Sequence, residues 1–294
     1  MMKKILYWCG LMMLAASGAA QQPAGVKFER DVVYGKGGEE DLKLDISRPE
    51  KTNGAAPGVV VIHGGAWRAG SKADHDSLTW DFAKRGYVSA TVEYRFCPKY
   101  PFPAQVEDVK CAVRFLRAHA DKYGLDPKRI GAMGFSAGAH LSMMLGVLDP
   151  ADGLEGNGGW ADQSSKVQAV VAYFGPTDFT SGYPEASAQL VKDFLGGTLA
   201  EKPGVYKAAS PVTYVNAGDA AMLLFQGTKD PLVPHAQAYR MAEALTAAGV
   251  PGRVEILLGA GHGWGGAEMA RTARETDAFF DQHLGHKPAP AKAY

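Results

Sequence analysis

Little in this 294-residue chain points to charge-driven partners: 31 basic residues balance 31 acidic ones, and no basic block interrupts the sequence. Without such a block there is no electrostatic footprint for nucleic acid, so a small or neutral ligand is expected. Cysteine is scarce, at three residues, which excludes a disulfide-dense scaffold. His-Glu-x-x-His is absent, no His, Cys and acidic residues cluster with metal-ligand spacing, and no glycine loop ends in Gly-Lys-Ser/Thr. No metal and no cofactor is therefore expected. Internal repeats are also missing. The apolar run from Ile5 to about Ala16 is shorter than the roughly 20 residues of a spanning helix. Preceded by Lys3 and Lys4 and followed by Ala19-Ala20, it predicts a signal peptide over residues 1–20 and a periplasmic or secreted protein, with an uncleaved anchor as the alternative.

What the chain does have is apolar mass: 46% of its residues are hydrophobic, enough for one large core. Apolar runs bounded by turn residues alternate with helical periodicity, the pattern of a parallel sheet covered on both faces. Two short early strands are expected near Val32–Tyr34 and Leu42–Ile46, then a buried strand at Val59–Ile62 and another over 87–95. Val106, Val109, Ala112, Val113 and Leu116 recur at helical spacing up to Gly124. Further strands are expected at 167–175, 220–227 and 253–258, and a last helix from about Gly266 to Leu284. Residues 21–39 read as an N-terminal segment with an edge strand, 40–284 as the main domain and 285–294 as a mobile tail. Between the strands near 170 and 223 lie about forty residues without a strand signal; a small helical insertion or a partner surface would account for them.

The chemistry centres on Gly134-Phe135-Ser136-Ala137-Gly138, a G-x-S-x-G between an apolar run and a helical one. In a nucleophile elbow the serine sits on a strained turn, and residues without side chains two positions away prevent a clash. A serine hydroxyl needs a base, and the base needs a carboxylate. Asp230 in "GTKDPLVP" and His262 in "GAGHGW" follow strands and come in that chain order. Their rivals are weaker. His140 lies four residues beyond the serine on the next helix and would project away from it; the loop of His63 is needed for another purpose. Asp178 is the rival acid, with helix capping as its ordinary role. "HGGAW" offers the backbone N–H groups of Gly64, Gly65 and Ala66 to a developing oxyanion, and Ala137 offers another at a helix N-terminus.

"VIHGGAW", "YGLDPKRIGAMGFSAGAHLSMML", "YFGPTDF", "ASPVTYV", "LLFQGTKDPLVP" and "GHGW" resemble the bacterial ferulic-acid-esterase-like branch of the α/β-hydrolases, close to the hormone-sensitive-lipase-like esterases. The resemblance spans about residues 40 to 284. It implies an α/β-hydrolase fold: a mostly parallel eight-stranded sheet, helices on both faces and a small insertion near 178–215. It also implies Ser136 as nucleophile, Asp230 as acid, His262 as base, and Gly65, Ala66 and Ala137 as oxyanion donors. Ala66 stands where related esterases carry a third glycine, leaving open which loop N–H points inward. Substrates of such enzymes are carboxylic esters, including acetylated or feruloylated carbohydrates and small aryl esters. Trp67 and Trp264 would either stack on a sugar or phenolic ring or pack as wall residues. A peptidase of the same fold and a non-catalytic binding protein remain the other classes. Cys97 and Cys111, the cysteines left after export, would be either bridged or two buried thiols.

Overall fold

The computed structural model describes residues 22–51 and 54–286; the expected signal peptide and residues 287–294 of the expected tail lie outside them. Eight strands form one sheet: β1 (Val26–Gly37), β2 (Glu40–Pro49), β3 (Ala56–Ile62), β4 (Val88–Val92), β5 (Leu125–Phe135), β6 (Ala169–Tyr173), β7 (Ala221–Gly227) and β8 (Gly252–Leu257). Their order is β1-β2-β4-β3-β5-β6-β7-β8. β1 pairs antiparallel with β2, and β2 with β4; every later pairing is parallel. The α/β-hydrolase architecture expected from the sequence is thus the one observed.

The helices are α1 (Asp76–Lys84), α2 (Ala104–Ala118), α3 (Ala120–Tyr123), α4 (Ala137–Val147), α5 (Glu185–Leu195), α6 (Pro203–Ala208), α7 (Ala236–Ala248) and α8 (Gly266–His283). Side chains of α2, α4 and α7 pack on one face of the sheet, and those of α1 and α8 on the other. Strands β3, β4, β6 and β7 are buried at every residue, as both-face coverage demands. Both early strands run longer than their sequence pattern suggests, and β1 carries irregular register between Glu29 and Val32 and between Val33 and Gly35. Each irregularity shifts the two-residue alternation and so hides the strand. The expected insertion is present: α5, α6 and two short 3-10 turns, Phe179–Ser181 and Pro211–Thr213, occupy the segment between β6 and β7.

One feature of α2 has no counterpart in the apolar spacing. Lys110 and Arg114 are almost completely buried and share one carboxylate, with Lys110 Nζ 2.8 Å from Glu155 Oε1 and Arg114 2.6 Å from Glu155 Oε2. Glu155 belongs to the segment between α4 and β6 that covers this helix, so α2 is enclosed on its charged side as well. Pairing is what makes such burial tolerable.

Candidate active site

The parallel strands β3, β5, β6, β7 and β8 end on the same edge, and their following loops converge there. Ser136 comes directly after β5 at φ 53°, ψ −117°, a strained turn for a residue with a Cβ. Both flanking glycines are sterically required. A Cβ on Gly134 would lie 2.3 Å from the carbonyl carbon of Gly138, and one on Gly138 would lie 2.0 Å from the carbonyl oxygen of Ile62. Only glycine lets strand, turn and helix approach this closely.

Ser136 Oγ lies 2.9 Å from His262 Nε2, and His262 Nδ1 lies 2.7 Å from Asp230 Oδ2. The sequence-predicted serine, histidine and aspartate are therefore one hydrogen-bonded chain. Asp230 Oδ1 accepts the backbone N–H groups of Leu232 and Val233, both at 2.9 Å. Burial pushes the Asp230 carboxyl up, but the His262 contact and these backbone donors outweigh it and hold the group below the usual carboxylate range. Gln226 Nε2 also donates to Asp230 Oδ2, at 3.1 Å, and to the Val233 carbonyl at 2.9 Å. Sequence reasoning passed over Gln226. Its signal was a polar side chain in the otherwise apolar "AAMLLFQG", where burial requires a partner.

Gly65, Ala66 and Ala137 border the serine. Among the described residues, none of their backbone N–H groups meets an acceptor in the turn and loop hydrogen bonds, and Ala137 opens α4, where no intrahelical acceptor exists. The rivals are occupied elsewhere. Asp178 Oδ1 caps its own turn by accepting from Thr180, and Oδ2 lies 3.2 Å from Arg240. His140 is fully buried in α4, and His63 stacks on Tyr94 at 4.4 Å.

A cleft of about 980 Å³ opens over Ser136. Its lining includes Trp67, Tyr183, Leu190, Val191, Leu232 and Val233, and among the described residues no lysine or arginine lines it. Of these, the sequence reading singled out only Trp67; α5 supplies Leu190 and Val191, whose helical period looked like any amphipathic surface helix. Trp67 is 3% exposed and stacks flat on Phe194 of α5 at 4.1 Å, so it forms wall rather than a free platform. For Trp264 the packed alternative is the one the contacts favour. It lies behind Phe174, outside the cleft lining, with its indole N–H donating to Thr272 Oγ1 of α8. A half-buried indole needs a partner for that N–H, and α8 provides it. The two cysteines are free and buried: Cys97 faces the Ala66 carbonyl and Cys111 that of Tyr34, so the bridged alternative gives way to the buried thiols. Burial pushes both thiols up to about 11.

The BD-FAE family model matches residues 44–245. Esterase LipQ of Mycobacterium tuberculosis is 34% identical over 229 residues, covering 74% of this chain and 53% of LipQ. The probable carboxylic ester hydrolase LipM of the same organism is 31% identical, covering 95% of this chain and 70% of LipM. This chain thus spans about half to two thirds of the length of these curated relatives. Among solved structures, a truncated carbohydrate esterase from gut microbiota superposes with a TM-score of 0.78 at 27% identity, over 88% of this chain and 96% of that one. The propionate-bound esterase Est2 of Thermogutta terrifontis gives 0.75 at 29% identity, over 91% and 97%.

Proposed function

The chain belongs to the BD-FAE family of α/β-hydrolases, and we propose that it is a serine carboxylic-ester hydrolase in which Ser136, His262 and Asp230 form the catalytic triad. The observation that carries this reading is the unbroken hydrogen-bond chain from Ser136 Oγ through His262 to Asp230. In the reaction, Ser136 Oγ attacks the ester carbonyl while His262 Nε2 takes its proton, and Asp230 stabilises the imidazolium. The carbonyl oxygen becomes an oxyanion facing the N–H groups of Gly65, Ala66 and Ala137. His262 then protonates the leaving alcohol, and a water activated the same way releases the acid from the acyl-serine.

Substrate class follows from the cleft. A mostly apolar lining that holds Asp74 but, among the described residues, no lysine or arginine disfavours an anionic acyl group and suits an uncharged one, acetyl, feruloyl or another small one. Esters of carbohydrates are the favoured targets, a reading supported by the carbohydrate esterase among the similar structures. Lys3, Lys4 and the apolar run behind them support export to the periplasm or medium; a mature N-terminus near Gln21 in the periplasmic fraction would bear this out, and full-length protein in the cytoplasm would refute it.

The deciding experiment labels the protein with a serine-directed fluorophosphonate and measures hydrolysis of p-nitrophenyl acetate, a peptide anilide and a panel of acetyl, feruloyl and longer acyl esters. Labelling at Ser136 with turnover of the esters alone is expected. Faster turnover of the anilide would make the protein a peptidase, and no labelling would make it a binding protein.

A further inference from the structure

The backbone holding two of the oxyanion donors is strained. Gly65, Ala66 and Trp67 have φ of 106°, 52° and 57°, a left-handed run that glycine adopts freely but alanine and tryptophan do not. Such a run persists only when its surroundings hold it. Tyr94 Oη donates to the carbonyls of His63 and Gly64, at 3.0 and 3.2 Å, and Cys97 N–H donates to the Trp67 carbonyl at 2.9 Å. The Trp67 side chain does more. Its indole lies flat on Phe194, edge-on to His140, and its Nε1–H donates to His140 Nδ1 at 3.2 Å.

That contact determines the state of His140. An indole N–H can only donate, so Nδ1 must be bare and the ring proton must sit on Nε2. Nε2 lies 2.8 Å from the carbonyl oxygen of Ala209, which can only accept, so both ends of the ring agree on one tautomer. Burial holds His140 down at about 4, and the ring stays neutral at the pH where His262 must act as a base. His140 belongs to α4, one turn past Ser136, whose carbonyl accepts its backbone N–H at 3.1 Å. The helix that begins with Ser136 and Ala137 therefore also grips the loop carrying Gly65 and Ala66.

We propose that Trp67 and His140 are positioning residues: their hydrogen bond sets the distance between the two halves of the oxyanion site, one on the loop after β3 and one at the start of α4. The inference rests on the esterase reading above but adds to it two residues outside the triad. Neither has to touch the reacting atoms. Misaimed donors weaken transition-state binding and leave ground-state binding nearly alone, so the signature is a fall in kcat without a rise in KM.

The test compares wild type, Trp67→Phe and His140→Gln with p-nitrophenyl acetate and with an aliphatic trifluoromethyl ketone, which Ser136 converts to a hemiketal oxyanion. Trp67→Phe keeps the ring on Phe194 and removes the N–H; it should lower kcat about tenfold, hold KM within about twofold, and weaken the ketone by the same factor as kcat/KM. His140→Gln keeps an acceptor and a donor and should retain at least about a third of kcat. Unchanged kcat in Trp67→Phe overturns the proposal, as does a rise in KM at constant kcat, which would make Trp67 a substrate contact. So does a fall in kcat that the ketone affinity does not follow. Were Trp67→Phe to fold poorly, His140→Leu, which removes the acceptor, must show the same matched loss or the proposal fails. Absence of wild-type ester turnover would instead sink the esterase reading, and this inference with it.

Discussion

The elbow around Ser136 and the insertion helix α5 both border the cleft, yet they are held in unlike ways. At the elbow, the contacts that specify the turn are backbone against backbone: Gly138 against the Ile62 carbonyl and Gly134 against Gly138. No side chain there can yield. Helix α5 instead is held largely through side chains: Phe194 packs on Trp67 and Phe179, Val191 and Leu195 are buried in the core, Ser187 Oγ donates to the Leu232 carbonyl at 2.8 Å, and Asp193 pairs with Arg68 at 3.1 Å. The last is a partly exposed ion pair of small energetic worth. The part that would perform the chemistry is therefore sterically locked, while the part that shapes the cleft is held by exchangeable contacts. A family can keep one reaction and vary its substrates on such a frame.

Replacing Ser136 or His262 by alanine gives the largest expected effect. Each should lower kcat for p-nitrophenyl acetate by at least about three decades, and the double variant should lose little more, because the two groups act as a unit. A folded Ser136→Ala protein retaining a tenth of wild-type turnover would break the assignment. Next comes the acid. Asp230→Asn should cost about two to four decades in kcat, whereas Asp178→Asn, which keeps an acceptor for Thr180 and removes only the charge facing Arg240, should stay within about tenfold; reversed ranking would move the acid to the loop after β6.

Stability sharpens the same contrast. Gly138→Ala forces a Cβ into the Ile62 carbonyl and should destabilise the fold by about 3 kcal/mol in urea unfolding. Ser187→Ala, which removes one hydrogen bond from α5, should cost only about 1 kcal/mol. Equal losses would mean that the elbow is no more tightly specified than the insertion. The smallest effect is a pH dependence. Because the native carboxyl of Asp230 is held below its unfolded value, its contribution is present above the ordinary carboxylate range near pH ~3.9 and is lost as pH falls through the lower native value. Unfolding of wild type and Asp230→Asn between pH 6 and pH 2.5 should therefore show the wild type losing more stability on acidification; parallel curves would contradict the lowered carboxyl.

Much of the site was legible because its demands are local. A serine between two glycines, a His-Gly-Gly loop after an apolar strand, and an aspartate and a histidine just past later strands all announce themselves within a few residues. The expected strand over 220–227 matches β7 to within a residue, and the helical run expected after the serine is α4. Other features were hidden because their cause is a distant segment. Trp264 follows the expected base in sequence, but α8 draws its indole away from the cleft. Nothing near Cys97 and Cys111 reveals that one thiol faces the loop after β3 and the other faces β1. Trp67 reads equally as platform or wall until Phe194 covers it.

By itself, then, the sequence determined the reaction frame: alternating strands and helices, a strained serine turn, and acid and base in order at strand ends. These rest on sterics between near neighbours and on burial periodicity, which residue types record directly. Only the tertiary structure decided what surrounds that frame. The tautomer of His140, the partner of Trp67, the burial of Lys110 and Arg114 beneath Glu155 and the apolar wall contributed by α5 depend on segments far apart in the chain. A side chain's partner across such a separation is set by how whole elements pack, and no local pattern of residues encodes it.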